Sequence, residues 1–197
     1  AVWGLGPIGQ MCVRIARRRG AGRVIGVDRL PERLELAARH GAEVIDLEHV
    51  PDGPAAVEDL TEGRGADSVI DAVGMEADGA TIDHVLQTLK VQPDRLHALH
   101  QSMSAVRRGG TLSVVGVYVG WMHAFPLGAL FDRQITVRMG QANVRRWVDD
   151  LLPLLGDEDP LGTADLTTHR VPLDAAPEAY EMLQRKRDGA IKVVLEP

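Results

Sequence analysis

A chain of 197 residues with 45% hydrophobic and 25% charged residues has the make-up of a globular protein with one full core and at most an appendage. Its formal net charge of −6 argues against a nucleic-acid or anionic-membrane partner, and no apolar run approaches the roughly 20 residues of a membrane span. The single cysteine, Cys12, rules out a disulfide within the chain and fits a reducing cytoplasm.

The chain opens inside an apolar run, Ala1–Trp3, with no initiator methionine, which leads us to expect a fragment of a longer protein. That run reads as a first strand. It enters Gly4-Leu5-Gly6-Pro7-Ile8-Gly9, a G-x-G-x-x-G pattern. A helix predicted from about Pro7 to Arg19 leaves it, with Ile8, Met11, Cys12, Ile15 and Ala16 on its apolar face. Pro7 suits a first helical turn, where the missing N–H costs nothing. Arg23–Val27 reads as a second strand. It ends at Asp28, which lies 19 residues after Gly9 and close to the ~20 of a dinucleotide-binding unit. In such a unit Gly4 gives the tight turn, Gly6 lets backbone approach a pyrophosphate and Gly9 lets helix pack on strand. The free N–H groups of the helix, Ile8 among them, face the anion. Two other readings stay open at this point. One is an ordinary strand–helix turn. The other is an S-adenosylmethionine-binding fold with a similar glycine loop and acid.

A helix starting at Pro31 is expected to end near His40 with Gly41 as its left-handed cap. Glu43–Asp46 is a third strand. A turn at 52–54 leads into a helix through Leu60, and Asp67–Ala72 is a fourth strand. This alternation predicts an α/β fold, a doubly wound parallel sheet. Residues 75–95 interrupt the rhythm, with a short surface helix around Val85, Leu86 and Leu89. A helix over about 94–108 is stopped by Gly109-Gly110. Strands five and six are Thr111–Val117 and Gln134–Met139, separated by a connection carrying Trp121, Phe125 and Phe131. The six strands complete a dinucleotide-binding (Rossmann) domain over 1–140. Residues 141–197 read as a helix at 146–155, a strand at 166–171, a helix at 174–187 capped by Asp174, and a last strand at 190–195. They carry too little apolar content for a core of their own. His97 and His100 lie three apart on a helix without a third ligand nearby and read as a solvated face.

Five pieces in this order resemble the zinc-dependent medium-chain alcohol dehydrogenase family. They are Val2–Gly9, Val24–Asp28, Gly65–Gly74, Gly109–Val117, and the ending His169–Leu173 with Ile191–Leu195. The insertion at 75–95 is similar to that of the glutathione-independent formaldehyde dehydrogenase and dismutase branch. The resemblance implies an oxidoreductase that transfers hydride between nicotinamide and a small alcohol or aldehyde. It further implies that 141–197 is the C-terminal return into a catalytic domain. The zinc ligands and proton relay would lie in a preceding half, so zinc is expected only in the full-length parent. A structural site of four cysteines is impossible with one cysteine.

For the cofactor, Asp28 is the expected acceptor of the adenosine ribose hydroxyls and disfavours a 2′-phosphate, which points to NAD. Arg29 pulls toward NADP, and Arg33 matches a basic residue near the same ribose. Val73 and Gly74, Gly116 and Val117, and Met139 and Gly140 sit beyond strand ends where ligands gather. The resemblance assigns Val117 and Met139 to the nicotinamide carboxamide and Lys192 to the pyrophosphate. It also implies a homo-oligomer formed through strand 134–139. From a different class, a non-catalytic NAD(H)-sensing regulatory domain remains an alternative.

Overall fold

The computed structural model describes residues 1–73, 93–118 and 125–197. Gly74, the predicted surface helix and Trp121 lie outside them. The chain divides into two compact units. The described residues up to Gln141 form one, and Ala142–Pro197 forms the other.

The first unit is a six-stranded sheet in the order β3-β2-β1-β4-β5-β6, with every neighbouring pair parallel. The strands are β1 (Val2–Trp3), β2 (Ile25–Asp28), β3 (Glu43–Asp46), β4 (Ala66–Asp71), β5 (Val106–Val114) and β6 (Thr136–Met139). The helices are α1 (Pro7–Arg18), α2 (Pro31–Arg39), α3 (Gly53–Leu60), α4 (Pro93–Ala105) and α5 (Leu127–Asp132). Parallel strands need crossovers, and the crossovers put helices on both faces. Successive side chains of β1 therefore enter different cores. Val2 packs with Leu5, Val13, Val24, Leu34 and Ala37 on the α1/α2 face. Trp3 packs with Val27, Val57, Val69, Leu99, Met103 and Leu112 on the α3/α4 face. The buried Trp3 indole finds a polar partner there, donating to Gln101 Oε1 at 3.4 Å, while Gln101 Nε2 donates to the Pro51 carbonyl at 2.8 Å.

Local chemistry sets the helix ends. Asp52 caps α3 by accepting from the Ala55 N–H at 3.0 Å. Gly41, at φ +84°, ends the α2 turn as expected.

Three sequence expectations are corrected in this unit. The α1 core face is turned from the predicted one. Gly9, Gln10, Val13 and Arg14 are its buried residues, while Ile8 is 56% exposed and Met11, Cys12, Ile15 and Ala16 are partly buried. The cause is the close approach of Gly9, where a Cβ would stand 1.8 Å from the Gly4 carbonyl oxygen. That contact rotates the helix onto the strand along the Gly9–Val13 line. Second, Gly109-Gly110 do not stop a helix. α4 ends at Ala105 and β5 begins at once, pairing Val106 with Ala66. The register then jumps to Ser68↔Thr111, so residues 107–110 bulge from the ladder. Gly109 takes φ +69°, and a Cβ on Gly110 would lie 2.6 Å from Val106 Cγ1 and 2.9 Å from the Asp67 carbonyl oxygen. Third, β6 starts at Thr136 because Gln134 adopts φ +57°, which breaks the extended run.

The second unit holds α6 (Val144–Leu151), α7 (Ala176–Gln184) and a parallel pair, β7 (His169–Pro172) and β8 (Val193–Glu196). Asn143 caps α6. α6 tightens into a 3-10 turn over Leu152–Leu155, where Pro153 lacks the N–H that an α-helix needs. The strand expected at 166–171 begins later, because the Asp159 carboxylate takes the N–H groups of Thr163 and Ala164 and winds a 3-10 turn over Thr163–Leu166. Asp174 is not the cap of α7. It lies inside a 3-10 turn, and Ala175 occupies the cap without a side-chain bond. Leu161, Ala179, Ala190 and Ile191 are this unit's buried apolar residues, while Val144, Trp147, Leu151, Leu152 and Leu155 are exposed.

Candidate functional site

In a parallel sheet all carboxyl ends lie along one edge. The order 3-2-1-4 reverses direction between β1 and β4, which makes a crevice at that edge. The glycine loop sits in it. Gly4 takes φ +81°, and a Cβ there would meet Val73 Cγ2 at 2.9 Å and the Val73 nitrogen at 3.1 Å, so the turn presses on the chain beyond β4. Gly9 is closed off by the Gly4 carbonyl. Gly6 is different. A Cβ there would meet only the Arg33 guanidinium, at 3.8 Å or more, so its backbone faces open space. Gly6 is also the cap of α1 and supplies no side-chain bond to the first turn, with Pro7 next. The first-turn N–H groups remain available to an anion. This glycine cradle fits a pyrophosphate.

Asp28 closes β2 beside that loop. Its Oδ2 accepts from the Leu5 N–H at 2.6 Å, and its Oδ1 accepts from the N–H groups of Arg29 and Leu30 at 2.7 and 3.1 Å. Three backbone donors therefore fix its aim. The Arg33 guanidinium stands 3.8 Å from Oδ2, and the two side chains are 12% and 9% exposed. Arg33 is thus no solvent-facing helix residue. It covers the acid. Arg29 points away, with Nε 4.0 Å from Glu48 Oε1 and both side chains mostly exposed. Asp46 is the register partner of Asp28 on β3 and bonds His49 Nδ1 at 2.7 Å. The N–H of Glu48, then His49, hold its carboxyl below the usual carboxylate range.

Of the predicted residues, the structure gathers Gly4, Gly6, Pro7, Ile8, Gly9, Asp28, Arg33 and Val73 around this loop. Gly116 and Val117 follow β5, and Met139 and Gly140 close β6, farther along the same edge. Val117 and Met139 are exposed, and Gly140 takes φ +157°. Lys192 belongs to the second unit, in the segment before β8, where its carbonyl accepts from Thr168 and His169.

Sequence reasoning passed over three residues. Gln10 is fully buried and its Nε2 donates to the carbonyls of Leu5 and Arg33 at 2.9 and 2.8 Å, bracing the loop against α2. A lone amide beside Gly9 on an apolar helix was the available signal. Asp71 ends β4 with no exposed surface, and burial pushes its carboxyl up from the ordinary value. Tyr118 donates its hydroxyl to Asp71 Oδ2 at 2.7 Å. Neither gives a sequence signal, because 47 positions separate them. Among the described residues no group of three His, Cys, Asp or Glu is placed to hold a metal ion.

Comparison with known proteins gives a consistent picture. A family model described as zinc-binding dehydrogenase matches residues 7–94. An uncharacterized zinc-type alcohol dehydrogenase-like protein of Bacillus subtilis is 36% identical over 199 residues, covering 100% of this chain and 52% of its own. The formaldehyde dismutase of Pseudomonas putida is 28% identical, over 98% of this chain and 50% of its own. Among solved structures, an alcohol dehydrogenase from Thermus sp. ATN1 superposes with a TM-score of 0.79 at 34% identity, covering 98% of this chain and 49% of that one. The chain spans about half the length of the relatives it matches. Over its whole length the chain is similar to about half of each of these zinc-type alcohol dehydrogenases.

Proposed function

We propose that this chain is the coenzyme-binding part of an NAD-dependent zinc-type oxidoreductase of the cytoplasm, acting between an alcohol and an aldehyde. The observation that carries the reading is the pairing of an open Gly6 backbone with an Asp28 carboxylate held at the loop by three N–H groups. The α1 first turn, with Ile8 and Gly9, takes the pyrophosphate. Asp28 keeps lone pairs for the two adenosine ribose hydroxyls, and Arg33 moves off it to admit them. Val73 flanks the adenosine side, with Gly74 after it in the chain. Gly116, Val117, Met139 and Gly140 seat the nicotinamide half through backbone groups. The bound nicotinamide supplies or accepts the hydride. The chain's own task is to orient it. In this reading zinc is held by the remainder of the longer protein, as the resemblance implies. Residues 141–197 are the segment that completes the catalytic domain, and β6 is the dimer edge.

The test is a fluorescence titration of the chain with NADH and with NADPH. NADH is expected to bind at least about tenfold tighter, since a 2′-phosphate would stand against the Asp28 charge. Asp28→Ala should weaken NADH and narrow the gap. Equal or tighter binding of NADPH by the unaltered chain would overturn the proposal.

A further inference from the structure

Asp71 is a fully buried acid at the carboxyl end of β4, and it holds four groups at once. Its Oδ2 accepts the Tyr118 hydroxyl at 2.7 Å, and its Oδ1 accepts the Val73 N–H at 3.1 Å. Its main-chain oxygen accepts the N–H groups of Val115 and Gly116, both at 2.9 Å. One residue thus joins the two loops that leave β4 and β5 side by side. Tyr118 is anchored at both ends, since its ring packs on the main core while its hydroxyl meets the acid. A carboxylate has no proton to give, so the tyrosine must donate, and that fixes the hydroxyl's direction. Burying a carboxylate is costly, and a neutral side chain would have met the packing need alone. An acid at this point is therefore explained by what it orders.

We infer that Asp71 and Tyr118 are positioning residues, which lock the loops after β4 and β5 in the one arrangement that seats the nicotinamide half of the coenzyme. Val117, a proposed nicotinamide contact, immediately precedes Tyr118, and Val73, held by Asp71, presses on Gly4. The pair touches neither ribose nor pyrophosphate groups as proposed above. Asp71 also holds Val73 on the adenosine side, whereas the Tyr118 end of the link bears on the nicotinamide half alone. This inference rests on the coenzyme reading.

The experiment compares NADH with ADP-ribose, which lacks the nicotinamide, on the full chain and on Tyr118→Phe. The expected result is NADH binding weakened about tenfold, with a reduced rise in nicotinamide emission, and ADP-ribose binding held within about twofold. Asp71→Asn serves as the rescue variant. Its amide keeps an acceptor for Val73 and donates to the tyrosine oxygen, so NADH binding should fall less than in Tyr118→Phe. A merely structural role would lower both ligands together. If the unaltered chain binds both ligands and Tyr118→Phe loses them equally, or loses neither, the inference is overturned and the coenzyme reading stands. If the unaltered chain binds neither, the coenzyme reading falls, and this inference with it.

Discussion

Gly6 and Gly9 belong to one short motif, yet their replacement by alanine should have opposite consequences. At Gly9 the new Cβ would lie 1.8 Å from the Gly4 oxygen and 2.8 Å from the Gly4 carbon. An ordinary carbon–oxygen contact is about 3.3 Å, so the atoms must separate by about 1.5 Å. Both sides of the clash are backbone, and no rotamer relieves it. Either α1 lifts from β1 or the glycine turn unwinds. Overpacking of this kind costs ~3 kcal/mol or more, which for a chain of this size lowers the melting temperature by roughly 6–12 °C. At Gly6 the new methyl meets nothing closer than 3.8 Å, and φ is −63°. Reduced unfolded-state entropy offsets the loss of a good helix cap, and stability should stay within about 0.5 kcal/mol. The same methyl fills the space into which a pyrophosphate would come, so NADH binding should fall by at least about tenfold. Thermal melts followed by circular dichroism, paired with NADH titration, read both effects. A Gly9→Ala chain that melts within a degree of the unaltered one would refute the steric reasoning. A Gly6→Ala chain that binds NADH normally would refute the placement of the pyrophosphate.

Glu48→Gln releases Arg29 from its exposed partner and should improve NADPH affinity by up to about fivefold while leaving NADH unchanged; a competition titration checks this. Burial raises the Asp71 carboxyl in the folded chain, so between its unfolded value near 3.8 and its folded value the native state holds a proton that the unfolded state has lost. That favours folding at the acid end, and the advantage fades as pH rises through the folded value. Urea denaturation of the wild type and Asp71→Asn should therefore show the wild type losing ground to the variant as pH rises through that window, and a constant difference would contradict the burial argument. If β6 joins two copies edge to edge, Thr136→Lys should shift light scattering from dimer to monomer, whereas a dimer indifferent to the change would exclude that edge.

The sheet's first half was legible because each element carries a short-range marker. Gly4, Gly6 and Gly9 mark the turn, Asp28 the end of β2, Gly41 the end of α2, and Asp52 the start of α3. What escaped depends on partners distant in sequence. Gly109 and Gly110 look like a helix stop from neighbouring residues alone. Gly109 is needed for its φ of +69°, and the real constraint on Gly110 is the Asp67 carbonyl on the next strand, which only the β4–β5 pairing supplies. The inward face of α1 is set by one backbone contact, Gly9 on Gly4, that outweighs the hydrophobic stripe. The apolar run before β6 divides likewise. Leu130 is buried, while Leu127 and Phe131 are 67% and 84% exposed, a split that the run's composition does not encode. For the candidate site, the glycine loop and the acid after β2 follow from spacing. The Asp71–Tyr118 link does not, because it joins two strand ends through a side chain on each.

The place of β1 bears on how the chain is made. This strand is two residues long and lies in the middle of the sheet, with β2 on one side and β4 on the other. Its register partner on β4 for Val2 is Ile70. At ribosomal speeds of about 5–20 residues per second, the second neighbour emerges roughly 3–14 s after the first strand. Through that interval Val2 and Trp3 present an apolar strand with one open edge, and the α3/α4 face of Trp3 is not fully covered until Leu99 and Met103 are synthesised. The centre of the finished sheet is the part of this unit that waits longest for its surroundings, so a chaperone that holds short apolar segments would find a client sequence here.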